Sequence, residues 1–165
     1  MSIFNRKPIN IETAYKKYAD ILYRVALAHL AIDADAQDVV QDVFIKYMSS
    51  PPVFNNDAHE RAWLLRVTVN RCHDVTRYLK VRESVPIEDA IGIAAPEKGE
   101  VPELLELISR IPTKYKEALI LHCLEGFSQQ ETAKILGISL SAVKMRILRG
   151  REIFEKMRQE DKNVQ

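Results

Sequence analysis

The stretch "GFSQQETAKILGISLSAVKMRILRGREIF", residues 126–154, decides the fold of this 165-residue chain. It predicts two short helices joined by a tight turn at Gly137, because glycine adopts the left-handed turn conformation without strain. Ser128 followed by Glu131 is typical of a capping box, in which the hydroxyl caps the helix and the glutamate reaches back to its backbone. Ser139 is placed to cap the second helix. The pattern is that of a helix-turn-helix.

The second helix of this motif has two faces of opposite character. At about 100° per residue, one narrow stripe is apolar and predicts the core face: Val143, Ile147, Gly150 and Phe154. The opposite face combines cations with two large apolar residues: Ser141, Lys144, Met145, Leu148 and Arg149.

Met145 and Leu148 need an explanation, because they lie among cations on a face predicted to be wet. In a DNA major groove, lysine and arginine donate to guanine, while apolar side chains contact thymine methyl groups. We therefore interpret the two residues as base-reading groups. Arg146 and Arg151, at the flanks, are better placed for phosphates. The alternative is a face that packs on another helix or mediates dimerisation.

The rest of the chain is predicted to be all-α, in two small domains. Apolar residues recur at helical spacing, and five glycines and seven prolines leave little room for sandwiches, barrels or repeats. Helices are predicted near residues 11–31, 35–48 and 60–81, and then at 102–110, 113–125, 128–136 and 140–159. The stretch "SSPPVFNNDAHE", residues 49–60, predicts a loop.

Charge is segregated along the chain although the formal net charge is only +1. Residues 1–82 hold 12 Lys/Arg and 9 Asp/Glu, residues 83–109 hold 1 and 7, and residues 110–165 hold 11 and 7. Within the acidic middle, "ESVPIEDAIGIAAPEKGEVPE" has three prolines, two glycines and no sustained period, which predicts a flexible linker. The predicted division is residues 1–82, a linker at 83–101, and residues 102–165.

Several classes of protein are excluded by what the sequence lacks. The N-terminus carries charges throughout and is no signal peptide, and no apolar run approaches the ~18 residues of a membrane span. We therefore expect a cytoplasmic protein without membrane insertion. Cys72 and Cys123 each adjoin a histidine but form no CxxC pair, and no HxxxH pair exists, so reduced cysteines are expected and no metal. No glycine-rich phosphate loop, HExxH motif or Ser/His/Asp arrangement indicates an enzyme.

The helix predicted from "DAQDVVQDVFIKYM", residues 35–48, also has two faces. Its core stripe is Val39, Val40, Val43, Phe44, Tyr47 and Met48. The other side carries Asp38, Gln41, Asp42 and Ile45. An isoleucine ringed by two acids and a glutamine is a candidate anchor for a partner protein.

The next helix, "RAWLLRVTVNRCHDVTRYLKVR" at residues 61–82, inverts the charge. It holds six basic residues and one acid, whereas residues 33–60 hold six acids and one lysine. It also contains the only tryptophan, Trp63. Cations, an aromatic ring and an asparagine could grip and separate nucleic-acid strands. That Trp63 is simply a core residue is the open alternative.

Five features follow one another along the chain: "DAQDVVQDVF", "AWLLRVTVNR", an acidic linker, "IPTKYKEALILHCLEGFSQQETAKILGIS" and "SAVKMRILRGRE". In this order they resemble an extracytoplasmic-function (ECF) sigma factor of bacterial RNA polymerase. The resemblance covers about residues 11–158, nearly the whole chain, and fits the minimal two-domain type. The chain departs from the family pattern at Thr132, where an aliphatic residue is usual, at Ser141, where glycine is common, and at Met145, where a small residue is common.

The resemblance implies a role for each candidate surface. The face of Asp38, Gln41, Asp42 and Ile45 would bind core polymerase at the clamp helices of its largest subunit. The residues implied for the minus-10 element are Asn55, Asn56, Asp57 and Ala58, in a loop that captures a flipped base, with Trp63, Arg66, Asn70 and Arg71, which open the duplex. Those implied for the minus-35 element are Ser141, Lys144, Met145, Arg146, Leu148, Arg149 and Arg151.

The resemblance also implies partners. These are core polymerase, including the flap of its second-largest subunit, promoter DNA and an anti-sigma factor, with the linker threading toward the RNA exit channel. No cofactor or catalytic residue is expected. Two alternatives use fewer of the motifs: a stand-alone helix-turn-helix regulator, and a sigma-mimic that titrates an anti-sigma protein.

Overall fold

The computed structural model describes residues 7–83 and 102–164, and every regular element within them is helical. The N-terminal block, residues 7–83, contains α1 (Ile11–Leu30), α2 (Asp33–Ser49) and α3 (Asp57–Glu83). The C-terminal block, residues 102–164, contains α4 (Glu103–Ser109), α5 (Thr113–Leu119), a π-helical turn (Ile120–Leu124), α6 (Gln129–Leu136) and α7 (Leu140–Val164). The predicted all-α fold of two helical units is confirmed. The predicted linker lies outside the described residues.

The start of α3 corrects one predicted boundary. The side-chain oxygen of Asn56 accepts a hydrogen bond from the His59 backbone N–H at 2.8 Å and caps the helix. Helix α3 therefore starts at Asp57, three residues before the predicted start at residue 60. Asp57 and Ala58, predicted to lie in a loop, therefore form the first turn of α3. Asp57 is also engaged there by ion pairs with Lys7 and Lys17.

A buried carboxylate joins the three helices of the N-terminal block. Glu60 is only 2% exposed, and its Oε1 accepts a hydrogen bond from the Tyr47 hydroxyl at 2.6 Å. Its Oε2 accepts from the Tyr18 hydroxyl at 3.3 Å and pairs with the Lys7 ammonium. Burial and the neighbouring carboxylate raise the pKa of Tyr47, which keeps its phenol protonated as a donor. Because a buried charge without partners is strongly destabilising, these contacts fix the first turn of α3.

The core stripe predicted for α2 is confirmed except at its last member. Val39, Val43 and Tyr47 are almost wholly buried, but Met48 is 56% exposed. Tyr47 takes the last covered position, stacked on Phe54, and Met48 lies about 100° further round the helix, beyond the cover of the neighbouring helices.

The two blocks pack against each other and share one apolar core. Ile108, Ile120 and Ile135 of the C-terminal block belong to the same buried cluster as Leu22 and Leu64 of the N-terminal block. Helix α1 contacts α2 and α3 on one side, and α4, α5 and the π-helical turn on the other. Helix α1 therefore joins the blocks, together with α3, which contacts α6.

Buried polar groups accompany this apolar contact. The Lys116 ammonium, almost fully buried, donates to the backbone oxygens of His29 at 2.9 Å and Ser109 at 3.1 Å. Glu117 pairs with His73 across the contact between the two blocks. Burial lowers the pKa of Lys116, and burial followed by repulsion from Lys116 and His73 lowers the pKa of His29, so the His29 imidazole is held neutral.

In the C-terminal block, the crossing of α5 and α7 depends on a missing side chain. A Cβ atom at Gly150 would lie 2.8 Å from Cδ1 of Leu119, closer than such contacts allow. The glycine therefore lets α7 lie directly on α5, with Val143 and Ile147 buried beside it.

Tyr47→Phe tests the buried carboxylate network. Removing the hydroxyl leaves one oxygen of Glu60 without its donor, and a hydrogen bond to a charged group contributes about 1.5–3 kcal/mol. We expect the free energy of unfolding, measured by urea denaturation, to fall by about that amount. The control is Tyr15→Phe, at a ring that is 55% exposed. An equal loss in both variants would show that the network contributes nothing.

Candidate nucleic-acid and protein interfaces

The helix-turn-helix forms as the sequence predicts. Ser128 Oγ accepts from the Glu131 backbone N–H at 3.0 Å, and the Glu131 carboxylate accepts from the Ser128 N–H at 2.8 Å. Gly137 ends α6 at φ +67°, and Ser139 Oγ accepts from the Ala142 N–H at 3.1 Å to cap α7. These local bonds set the direction in which α7 leaves the turn.

The exposed face of α7 carries the residues predicted to read bases. Met145 and Leu148 are 53% and 54% exposed, whereas Val143 and Ile147 on the opposite face are buried. The other predicted DNA-binding residues of this helix are polar. Arg146 is half-buried, and the remaining four are exposed: Ser141, Lys144, Arg149 and Arg151.

Arg149 and Arg151, the last two arginines of this face, make only weak contacts within the chain. Arg149 approaches Glu152 at 3.7 Å, an exposed pair one turn away on the same helix, which is a weak interaction. Arg151 points one guanidinium nitrogen at the sulfur of Cys123, at 3.6 Å. Both side chains are therefore available to an anionic ligand.

The predicted partner face of α2 is open to solvent. Asp38, Gln41 and Ile45 are exposed, and Asp42 is half-buried in an ion pair with Arg71, whose Nε lies 2.8 Å from its carboxylate. Ile45 and the unexpectedly exposed Met48 line an apolar groove together with Ile11, Tyr15 and Phe44 of α1 and α2. This contiguous apolar surface beside acidic groups is broader than the isolated isoleucine predicted from the sequence.

Part of the predicted minus-10 set converges on one cleft. Asn56, Ala58, Trp63 and Arg66 line a cleft of about 450 Å³. Trp63 is half-buried and packs against Phe54 with ring centroids 5.7 Å apart, so it serves the core as well as the cleft wall. The interpretation of Trp63 as a core residue is therefore confirmed in part, and its role in separating nucleic-acid strands stays a prediction.

Asn70 and Arg71 do not reach this cleft. They lie further along α3, where they line a second, smaller cleft with Asp42 and Asp74. The ion pair between Arg71 and Asp42 ties this end of the basic helix to the partner face of α2.

Residues of the C-terminal block form the other wall of the first cleft, which the sequence did not indicate. They are Phe127, Glu131, Lys134 and Ile135. Arg61, also missed, lies over the Phe127 ring at 5.0 Å and 3.7 Å from the Glu131 carboxylate. The only feature of the sequence that singles out Arg61 is its position at the start of the basic helix predicted at residues 61–82.

Within residues 7–83 and 102–164, no group of three or more histidine, cysteine or acidic side chains is placed to hold a metal ion. Cys72 is buried, and burial raises its pKa to about 12, while Cys123 is exposed. No helix in these ranges has the length and apolar character needed to cross a bilayer.

Two family models match the chain in separate parts. Sigma-70 region 2 matches residues 14–82, and sigma-70 region 4 matches residues 102–153. The chain is 34% identical over 135 residues to the RNA polymerase sigma factor CnrH of Cupriavidus metallidurans, covering 72% of this chain and 71% of that protein. It is 32% identical over 148 residues to the RNA polymerase sigma factor SigZ of Bacillus subtilis, covering 87% and 84%.

Solved structures of two sigma factors have folds similar to that of this chain. CnrH in complex with the cytosolic domain of CnrY is similar at a TM-score of 0.70 and 25% identity, over 92% of this chain and 88% of that one. The sigma factor RpoE of Bartonella quintana, in complex with the anti-sigma factor NepR, has the same fold at a TM-score of 0.70 and 21% identity, over 90% and 96%.

These matches decide between the functions considered from the sequence. A stand-alone helix-turn-helix regulator would need only the C-terminal block, whereas the region 2 match covers the N-terminal block as well. The chain belongs to the sigma-70 family, among the ECF sigma factors, and is a non-enzymatic initiation factor that binds core RNA polymerase and recognises the minus-10 and minus-35 promoter elements.

Proposed function

We propose that residues 1–82 bind polymerase and the minus-10 element, that residues 83–101 link the two units, and that residues 102–165 bind the minus-35 element. The observation that carries this division is the pair of exposed faces described above. One is apolar and acidic on α2, and the other is basic and apolar on α7. Surfaces of such different chemistry suit a protein partner and a DNA groove respectively.

The polymerase-binding face consists of Asp38, Gln41, Asp42 and Ile45, facing the clamp helices of the largest subunit. Ile45 is 57% exposed, and the adjoining groove supplies the dry centre that anchoring residues of protein interfaces need. The carboxylates beside it favour a basic partner helix and discriminate against acidic ones.

The minus-10 element is bound by the described cleft and the basic helix α3. Asn55 and Asn56 precede the helix, and Asp57 and Ala58 open it, so a flipped base would meet the N-terminus of α3. Trp63 supplies an aromatic wall, and Arg66, Asn70 and Arg71 follow along the exposed side of the helix for the strand backbone.

The minus-35 element is read by α7. Lys144 and Arg149 supply donors for guanine, and Met145 and Leu148 supply apolar contacts for thymine methyl groups. Ser141, Arg146 and Arg151 position the helix on phosphates.

An anti-sigma factor is a further proposed partner. Two similar structures are those of CnrH bound to CnrY and of RpoE bound to the anti-sigma factor NepR, which supports such a partner for this chain. Because its partner is the polymerase engaged with chromosomal DNA, we also place the protein in the cytoplasm.

Ile45→Arg tests the polymerase-binding face. A charge at an apolar anchor should weaken binding to core polymerase by at least about 2 kcal/mol, the threshold for a hot-spot residue. Co-purification with core polymerase measures the loss, with circular dichroism as a check on helicity. The matched control is Val53→Arg, at a side chain exposed to a similar degree in the loop before α3. Undiminished binding by Ile45→Arg would remove the assignment.

Arg149→Ala and Arg151→Ala separate base reading from phosphate contact. If Arg149 reads a guanine, its loss should cost about 1–3 kcal/mol on the preferred promoter and relax preference at one base pair. Arg151→Ala should weaken all sequences alike and lower the salt slope by about one. Competition binding of the holoenzyme to a promoter and its minus-35 variants measures both, with exposed Lys156→Ala as control. A loss from both variants that is equal on every sequence contradicts the assigned roles.

A further inference from the structure

Two lysines outside α3 hold the first turn of that helix. The ammonium of Lys7, in the segment before α1, pairs with the carboxylates of Asp57 and Glu60. The ammonium of Lys17, on α1, lies 2.5 Å from the other carboxylate oxygen of Asp57. The backbone adds a further contact, because the Lys7 N–H donates to the Phe54 oxygen at 3.4 Å. Cations from two separate segments therefore converge on the turn that carries Asp57.

The charges in this cluster are firmly established. Hydrogen bonds from Lys17 and then from Lys7 lower the pKa of Asp57 to about 2. Burial opposes the charge on Lys7, yet its bonds to Asp57 and Glu60 outweigh that effect and raise the pKa of its ammonium. The Tyr18 hydroxyl also donates to the backbone oxygen of Asp57 at 3.3 Å. The contacts that hold this turn to α1 therefore persist at neutral pH.

The same turn fixes the two asparagines proposed to meet the flipped base. Asn56 directly precedes Asp57, and its side-chain oxygen accepts from the His59 N–H at 2.8 Å. The Asn55 N–H donates to Nδ1 of His59 at 3.2 Å. Both asparagines are thus bonded to the first turn of α3, and their positions follow the position of that turn. This matters because groups at a binding site must be held to within about 0.5 Å of their productive geometry.

Stability alone does not explain the pair of Lys17 and Asp57. Their side chains are 45% and 58% exposed, and exposed ion pairs add little to the free energy of folding. The pair does restrict where Asp57 can lie. Together with Lys7 it connects three segments: the chain before α1, α1 itself and the first turn of α3. Two cations on different segments thereby give that turn one orientation relative to α1.

We propose that Lys7 and Lys17 are positioning residues for the minus-10 contact: by holding Asp57 they orient the first turn of α3, and with it Asn55 and Asn56, toward the flipped base. The inference rests on the proposed function, which assigns this loop to that base. Neither lysine needs to touch the DNA. Their loss should weaken discrimination between bases at the captured position and leave the contacts made elsewhere intact.

The test replaces each lysine and measures base preference. Lys7→Met and Lys17→Met remove the cation and keep an apolar side chain, whereas Lys7→Arg retains a cation that can bridge two carboxylates. Lys114→Met, at an exposed cation on α5, controls for the lost charge. Each variant is assembled with core polymerase. Fluorescence anisotropy then gives the affinity of this holoenzyme for a promoter that the wild-type holoenzyme transcribes, with its minus-10 segment unpaired by mismatches. Each non-template position of that segment carries in turn the four bases and an abasic nucleotide.

With wild type, we expect one position to show a preference of about tenfold, which is within the usual cost of a wrong base. Lys7→Met should remove most of that preference, and Lys17→Met, which loses the contact with Asp57 only, should reduce it. Lys7→Arg and Lys114→Met should keep it. With an abasic nucleotide at that position, both methionine variants should bind as tightly as Lys114→Met, because no base is left to orient.

Circular dichroism and affinity for core polymerase show whether each variant is folded. If Lys7→Met does not fold, because buried Glu60 has lost a partner, Lys17→Met decides alone, since Lys17 pairs with the exposed Asp57 instead.

Three results overturn the positioning role. They are a folded methionine variant that keeps the full preference, a loss of affinity equal on every base and on the abasic nucleotide, and a Lys7→Arg variant that does not retain the preference. The proposed function fails in a different way. If the wild-type holoenzyme binds all four bases and the abasic nucleotide equally at every minus-10 position, the assignment of this loop is wrong whatever the variants show.

Discussion

The rest of the structure depends on the packing of helix α1, which is covered on two sides. Its side chains meet α2 and α3 through residues such as Tyr18, and its C-terminal half meets the other block, where the His29 oxygen accepts from Lys116. Most surface helices bury one stripe and leave the other face wet. Because α1 has no exposed residue from Val25 to Leu30, its C-terminal end couples the N-terminal fold to the placement of the C-terminal block.

This constraint has a functional consequence. The α2 face around Ile45 and the α7 face around Met145 are both exposed. The cleft between the blocks, by contrast, has Arg66 bound to α6. The packed chain therefore presents the proposed polymerase-binding and minus-35 surfaces to solvent, whereas residues of both blocks line the proposed minus-10 cleft.

The sequence predicts best what is decided locally. The capping box at Ser128, the turn at Gly137 and the buried stripe through Val143 depend on residues within a few positions, and all are confirmed. The predicted start of α3 is wrong by three residues, because Asn56 caps the helix within a run of turn-forming residues that favours a loop. The burial of Glu60 had a visible signal, since it lies four residues before Leu64 on the buried stripe of α3.

What the sequence could not predict is the pairing of distant residues. Lys116 and Glu117 are charged and would be expected in water, yet partners from α1 and α3 bury them. Thr132, where the family resemblance leads one to expect an aliphatic residue, is fully buried and its Oγ1 has no partner among the described residues. No periodicity reveals such contacts, because they depend on how two helical blocks dock.

Transcription in vitro tests the central claim most directly. Purified core polymerase from the source bacterium would be incubated with this chain and a pool of genomic promoter fragments, and the transcripts would be sequenced from their 5′ ends. The account predicts transcripts that depend on the added chain and start downstream of a common pair of elements at constant separation. Transcription of no fragment above the level given by core polymerase alone would contradict it.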